Sequence, residues 1–380
     1  MRITSRWILV LGAALLATTC SRVQPIGEDT LNMSREVVFQ VARYHAVTKA
    51  DSDYKDNYAN VPFGAYSWYK GLDPADNTAF MVNQAVGYDT SNDRWATTGA
   101  TYYWPQSGSL DFICYSPYSA DGKAAPLPVI TENNISYPMW NVAEHPGLDV
   151  MYADKVTGLT NNATTYYYGG VPTLFHHALS FVTFQVKAAY LQKKAPTGDT
   201  TRWEIDLNSV QLKDIHTTGS LTMNLNKDGS SWNLPSPAVW DSDGVSKLDT
   251  FLNTDGVSSI TGTAQTLGDG MYVLPQSLDG GQSVVLNVTI RTYHDDGTGE
   301  KLLFRENSIN VTSMLKNGSL PAWGMNQKIT YVFTLAPSQA EGTGVDLDED
   351  GIEDVDPVSV YFDPAVGEWQ KVTVSAGINL

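Results

Sequence analysis

Ile329-Thr330-Tyr331-Val332-Phe333-Thr334-Leu335 decides the fold. Ile329, Tyr331, Phe333 and Leu335 fall on every second position, and Thr330, Val332 and Thr334 lie between them. An extended chain throws successive side chains to opposite faces, so this pattern makes one apolar and one more polar face. A helix would bring its apolar residues back every three or four positions instead. The β-branched and aromatic content fits a pleated surface. The same alternation recurs at Val284, Leu286, Val288 and Ile290, against Val285, Asn287, Thr289 and Arg291. It recurs again at Leu221, Met223 and Leu225.

Turn pairs separate these runs. Asp228-Gly229, Asn253-Thr254-Asp255-Gly256 and Asn317-Gly318 supply residues that tolerate positive φ and suit hairpins. Ser246–Leu252 is the one segment that reads as a short helix. Many short strands with frequent turns predict an all-β chain built as a sandwich or barrel. No fixed-period repeat is visible, which argues against solenoids and propellers.

The chain has 380 residues, enough for two domains of average size. Hydrophobic residues make up 42 %, with 10 Trp, 20 Tyr and 11 Phe, so packed cores are expected rather than disorder. The net charge of −17 argues against nucleic acid and against anionic lipid headgroups as partners. A loop-like stretch at residues 161–170 precedes a strong strand signal at Leu179–Val186 and marks a boundary near 170.

The first residues read as an export signal. Arg2 and Arg6 form a positive start, and Trp7–Leu16 is an apolar run too short to span a bilayer. Cys20 follows directly, as in bacterial lipoproteins, where the signal is cut before the cysteine and the new terminus is acylated, with palmitate among the chains. Thr19 and Ala17 depart from the usual residues of that site. Residues 21–35 lack periodicity and read as a tether. With Cys20 lipidated, Cys114 is left without a partner. It sits in Leu110-Asp111-Phe112-Ile113-Cys114-Tyr115, and reads as a small buried hydrophobe.

Trp95-Ala96-Thr97-Thr98-Gly99-Ala100-Thr101-Tyr102-Tyr103-Trp104-Pro105, followed by Leu110–Pro117, resembles the most recognisable stretch of fimbrillin-like proteins, the shaft, anchor and tip subunits of type V pili. Leu174-Phe175-His176-His177-Ala178-Leu179-Ser180 resembles the family's strand entering a second domain. Trp323–Tyr331 and Val360–Trp369 resemble its closing strands. The resemblance implies two tandem transthyretin-like (Greek-key) β-sandwich domains. The expected layout is a lipoprotein signal peptide over 1–19, a tether over 20–35, an N-terminal β-sandwich over 36–170, and a C-terminal β-sandwich with a terminal strand segment over 171–380. On alternation alone, Tyr103 and Phe112 are expected to point inward together as core aromatics.

The resemblance also implies a way of working. Family subunits are exported as lipoproteins to the outer membrane and cell surface. A protease then cuts after an arginine and removes an N-terminal strand, and a strand from the next subunit fills the groove. An open sheet edge above an open apolar core drives that exchange. Val37-Val38-Phe39-Gln40-Val41-Ala42 is the strand candidate, flanked by Arg35 and Arg43. A cut after Arg43 removes it, and a cut after Arg35 leaves it in place. Trp369-Gln370-Lys371-Val372-Thr373-Val374 reads either as a donor strand or as the last strand of its own sandwich.

Asp346-Leu347-Asp348-Glu349-Asp350-Gly351-Ile352-Glu353-Asp354-Val355-Asp356 places carboxylates at alternate positions before a glycine, as calcium loops begin. Asp346, Asp348 and Asp350 would give the first oxygens, and Asp354 or Asp356 the later ones. Pro357 stands where an EF-hand has Glu, so the alternative is a solvated acidic loop. His176 and His177 are adjacent, hence on opposite faces of a strand and badly placed to share a metal. No HExxH, CxxC, Walker loop or GxSxG elbow is present, so no enzymatic activity is expected. The expected function is a structural pilus subunit that assembles with other pilus subunits. Its membrane contact is the lipid alone, and it serves adhesion to host or bacterial surfaces. The alternative is a surface glycan-binding lipoprotein or a pilus-tip adhesin. Tip adhesins carry an extra module, for which little chain is left here.

Overall fold

A computed structural model describes residues 36–43, 60–92, 94–123, 125–160, 170–194, 200–225, 239–241, 248–252, 257–279, 281–295, 302–316, 320–337, 358–362 and 365–366. The strands begin with β1 (Val38–Arg43), β2 (Phe63–Lys70), β3 (Thr78–Asp89), β4 (Arg94–Thr97), β5 (Ser109–Ser116), β6 (Val129–Ile130), β7 (Asn134–Asn141) and β8 (Met151–Ala153). They continue as β9 (Val156–Leu159), β10 (Val171–His177), β11 (Ser180–Ala188), β12 (Gln192–Lys194), β13 (Thr200–Ile215), β14 (Thr218–Asn224), β15 (Val239–Asp241) and β16 (Leu248–Leu252). The last are β17 (Gln265–Val273), β18 (Gln276–Ser277), β19 (Ser283–Asp295), β20 (Leu302–Met314), β21 (Ala322–Trp323), β22 (Lys328–Pro337), β23 (Val358–Phe362) and β24 (Ala365–Val366). Among the described residues, a 3-10 turn at Pro74–Asp76 is the one helical element. The chain is all-β, as its alternation predicts.

The first sheet has the order β2-β3-β4-β1-β10-β8-β5-β9, and β2 also pairs β5. That extra pairing turns the row into a ring, with β9 alongside β5. The ring encloses an apolar core of Val37, Phe39, Phe63, Met81, Trp95, Leu110, Phe112, Cys114 and Phe175, among others. Every residue of β5 after Ser109 is buried. Its period of two splits between two cores: Leu110, Phe112 and Cys114 face into the ring, and Ile113 faces a separate cluster outside it. Burial pushes the Cys114 thiol far up, as expected for an inert thiol.

The second body of sheet packs β17-β11-β22-β23 across β12-β13-β19-β20. Its core takes Val182, Phe184 and Val186 from β11, Ile329, Tyr331, Phe333 and Leu335 from β22, and Val284, Leu286 and Val288 from β19. The face that opened the sequence analysis is therefore the buried one. Phe184 stacks on Tyr331 and on Phe333, with centroids 5.5 and 5.9 Å apart. β13 keeps its apolar residues inward across a bulge between Leu207 and Ser209, which moves the buried set from Leu207 to Val210.

A third sheet, β15-β14-β7-β6, draws on both sides of residue 170, because β7 and β14 are hydrogen-bonded neighbours. It covers a cluster that joins Ile135, Tyr137, Trp140 and Tyr152 to Leu179, Leu221, Met223 and Leu274. The chain passes from the first sheet to the second within two residues, Ala178 and Leu179, both fully buried.

Two expectations are corrected. The helix read over Ser246–Leu252 is absent from its described part. Leu248–Leu252 is a strand that pairs β13 through Val210↔Leu252, Gln211↔Phe251 and Leu212↔Thr250. A long neighbouring strand with a free edge outweighs a weak local preference. Phe112 is buried, but Tyr103 is 53 % exposed. Tyr102 and Trp104 pack against the ring core instead, in the same phase as Leu110, Phe112 and Cys114 after the turn, so Tyr103 falls on the outward phase.

Candidate functional site

β1 lies between β4 and β10. It runs parallel to β10, with Phe39↔Val171, Gln40↔Pro172, Val41↔Thr173, Ala42↔Leu174 and Arg43↔Phe175 in register. It runs antiparallel to β4 through Val38↔Ala96 and Phe39↔Trp95. Ahead of the strand, the Val37 N–H donates to the Tyr102 carbonyl at 2.8 Å. Among the described residues no other strand connects β4 to β10, so β1 is the segment that closes the ring. Removing it would leave two facing edges with unpaired N–H and C=O groups.

Side chains add to the backbone pairing. Val37 and Phe39 are buried. Phe39 makes edge contacts with Phe63 and Phe112, at 5.5 and 5.9 Å between centroids. Phe63 in turn contacts Trp95 at 5.6 Å and Phe175 at 5.2 Å, so the slot is aromatic on its floor and both walls. Burying each such side chain is worth roughly 1.5–3 kcal/mol. The ion pair of Glu36 Oε2 with Arg94 Nη2, at 2.7 Å, is half-exposed and contributes about 1 kcal/mol or less. Apolar insertion therefore dominates, and the ion pair sets register at the strand entrance.

Gly170 carries the chain under this strand. Its φ is +105°, and a Cβ placed on it would lie 2.4 Å from the Val38 carbonyl oxygen. Only glycine allows both the left-handed backbone and this close approach.

The residues singled out from sequence are placed unevenly. Arg43 is the last residue of β1. Cys20, Arg35, the acidic residues Asp346, Asp348, Asp350, Asp354 and Asp356, and the terminal segment Trp369–Val374 lie outside the described residues. His176 and His177 are buried and meet different carboxylates: His176 Nε2 lies 3.1 Å from Asp154 Oδ1, and His177 Nδ1 lies 2.6 Å from Asp149 Oδ2. Among the described residues, no group of three or more His, Cys, Asp or Glu is placed to hold a metal ion. Sequence reasoning found the strand but missed the lining residues Phe63, Trp95 and Phe175 and the glycine beneath it. Phe63 and Trp95 lie next to alternating runs, but nothing local says that they share one slot.

Residues 48–347 match the model of the fimbrillin-like family. This chain belongs to the fimbrillin-like family. The match begins at residue 48, after the end of β1. A fimbrial protein from Bacteroides vulgatus has a similar fold, with 17 % identity and a TM-score of 0.50 over 88 % of this chain and 100 % of that one. The fimbrial anchor protein Mfa2 from Porphyromonas gingivalis aligns over 90 % of this chain and 100 % of its own, with 10 % identity and a TM-score of 0.30. No curated protein matches the sequence. Fimbrillin-like chains are structural and adhesive proteins, not enzymes.

Proposed function

We propose that this fimbrillin-like chain is a structural subunit of a cell-surface pilus, exported as a lipoprotein through Cys20 and polymerised by strand exchange at the slot now filled by β1. The single observation behind the reading is the position of Arg43 at the end of β1. A cut there releases Val38–Arg43 as a unit, and the lipid with it. A cut after Arg35 would leave the ring closed, so Arg43 is the site that serves exchange.

The slot asks for a particular replacement. An incoming segment has to be extended, present apolar side chains at alternate positions to follow Val37 and Phe39, and pair with both β4 and β10. The terminal segment Trp369–Val374 of another subunit has a suitable composition.

Two measurements test this. N-terminal sequencing of the protein taken from cells should return Tyr44 for a polymerised subunit and a blocked terminus for one retained as an anchor, whose lipidated Cys20 peptide is then read by mass spectrometry. A chain expressed from Tyr44 should form ladders that resist SDS. Monomer alone under all conditions would remove the exchange reading and leave family membership intact.

A further inference from the structure

Lys155 is 8 % exposed, in the two-residue link between β8 and β9. Its Nζ donates to the side-chain oxygen of Asn133 at 2.8 Å. That is the one side-chain hydrogen bond it makes, and no ion pair reaches it among the described residues. A buried ammonium held by one neutral amide is costly, which disfavours the charged form. Burial accordingly lowers the lysine's pKa, and the nearby Lys70 charge adds to this. The carboxylates of Asp111 and Glu132 act on the same amine in the opposite sense. Glu132 is engaged by Lys70 at 2.7 Å. Asp111 is buried, and its Oδ1 accepts from the Gly158 N–H at 2.8 Å.

These are the parts of an amide-forming reaction. A buried amine lies 2.8 Å from an amide oxygen, and a buried carboxylate stands close enough for its charge to be felt by the amine. Asn133 is half-buried, so a leaving group can escape from it.

We propose that Lys155 and Asn133 join through an intramolecular isopeptide bond, with Asp111 as the proton carrier. The Lys155 Nζ lone pair attacks Asn133 Cγ, and the new N–C bond forms there. A proton from the amine passes through the Asp111 carboxylate to Nδ2. The Cγ–Nδ2 bond breaks and ammonia leaves. The products are one secondary amide and one ammonia, so atoms balance and no oxidant or reductant is needed.

The bond would tie the turn between β6 and β7 to the link between β8 and β9. It would thereby fasten the sheet shared by both halves of the chain onto the first ring. It would also remove the unfavourable buried amine, which supplies its driving force.

The test is a peptide map of the full-length protein by mass spectrometry after digestion with trypsin together with a glutamate-specific protease, because Asn133 and Lys155 share one tryptic peptide and Glu144 lies between them. We expect a branched peptide joining the Asn133 and Lys155 segments, lighter than their sum by one ammonia, and no cleavage after Lys155, since acylated lysine is not a trypsin site. Asn133→Asp should give the same branched peptide with loss of water instead. Lys155→Arg should give linear peptides only, and Asp111→Asn should join slowly or not at all. Linear peptides with full cleavage after Lys155 in the natural sequence would overturn the proposal. Joining at the natural rate in Asp111→Asn would overturn the role given to Asp111.

Discussion

Phe39 meets Phe63 nearly at right angles, with ring centroids 5.5 Å apart and planes inclined by 85°. One ring belongs to the strand that closes the first sheet, and the other to the opposite side of the core that this strand covers. Their contact couples closure of the sheet to burial of its interior.

Phe39→Ala should therefore loosen the strand as well as the core. Truncating a buried phenylalanine costs about 3–5 kcal/mol. The expected result is a drop of that size in the urea unfolding free energy of the full chain, with faster tryptic release at Arg43. Unchanged stability would mean that β1 does not cover this core.

Gly170→Ala tests the floor of the slot. The left-handed backbone costs an alanine about 1–2 kcal/mol, and the clash with the Val38 carbonyl adds to that. The prediction is selective: the link at Arg43 becomes more sensitive to trypsin, while near-ultraviolet signals from the second body of sheet stay as they were. Circular dichroism and a timed digest read the two effects separately.

Tyr331→Phe probes the other core. The Trp323 Nε1–H donates to the Tyr331 hydroxyl at 2.8 Å, and both rings are buried. Without the hydroxyl the indole N–H stays desolvated, at a cost of about 1–3 kcal/mol. A lower midpoint in thermal unfolding is expected. Trp323→Phe with Tyr331→Phe should recover part of it, because both polar groups are then gone.

Alkaline pH offers a further check. Burial, followed by the charge of Asp154, pushes the Tyr152 hydroxyl up from 10.0 to about 12. An unfolded tyrosine gives up its proton near pH 10.0, while the folded one holds it to about 12. Between those values the folded chain binds more protons, so stability falls as pH rises. Below that window Tyr152 adds no slope. Replacing Tyr152 by Phe should make the fall shallower by up to one proton in the pH dependence of the unfolding free energy.

Much of the fold is legible along the chain because alternation is a local property. Val284–Ile290 and Ile329–Leu335 show in sequence which faces are buried, and the core contains those side chains. Val37–Ala42 likewise stands out as a strand. Partners are another matter. Nothing near Ile135 announces Met223, its neighbour across the shared sheet, because that pairing depends on how two distant stretches meet. Tyr103 shows a second limit: among three consecutive aromatics, Tyr102, Tyr103 and Trp104, composition does not say which phase faces the core. The slot combines both cases. Its strand is visible in sequence, whereas its lining comes from β2, β4, β5 and β10, which only folding brings together. Lys155 and Asn133 carry no local signal, because what sets them apart is a contact between two links 22 residues apart.

The parallel register of β1 on β10 has a mechanical side. Partners run from Phe39↔Val171 to Arg43↔Phe175, so a pull along β1 strains all these rungs at the same moment rather than peeling them off singly. Whatever segment occupies that place is held in shear. A filament whose joints copy this arrangement would withstand tension along its axis better than a sideways tug at the end of one strand.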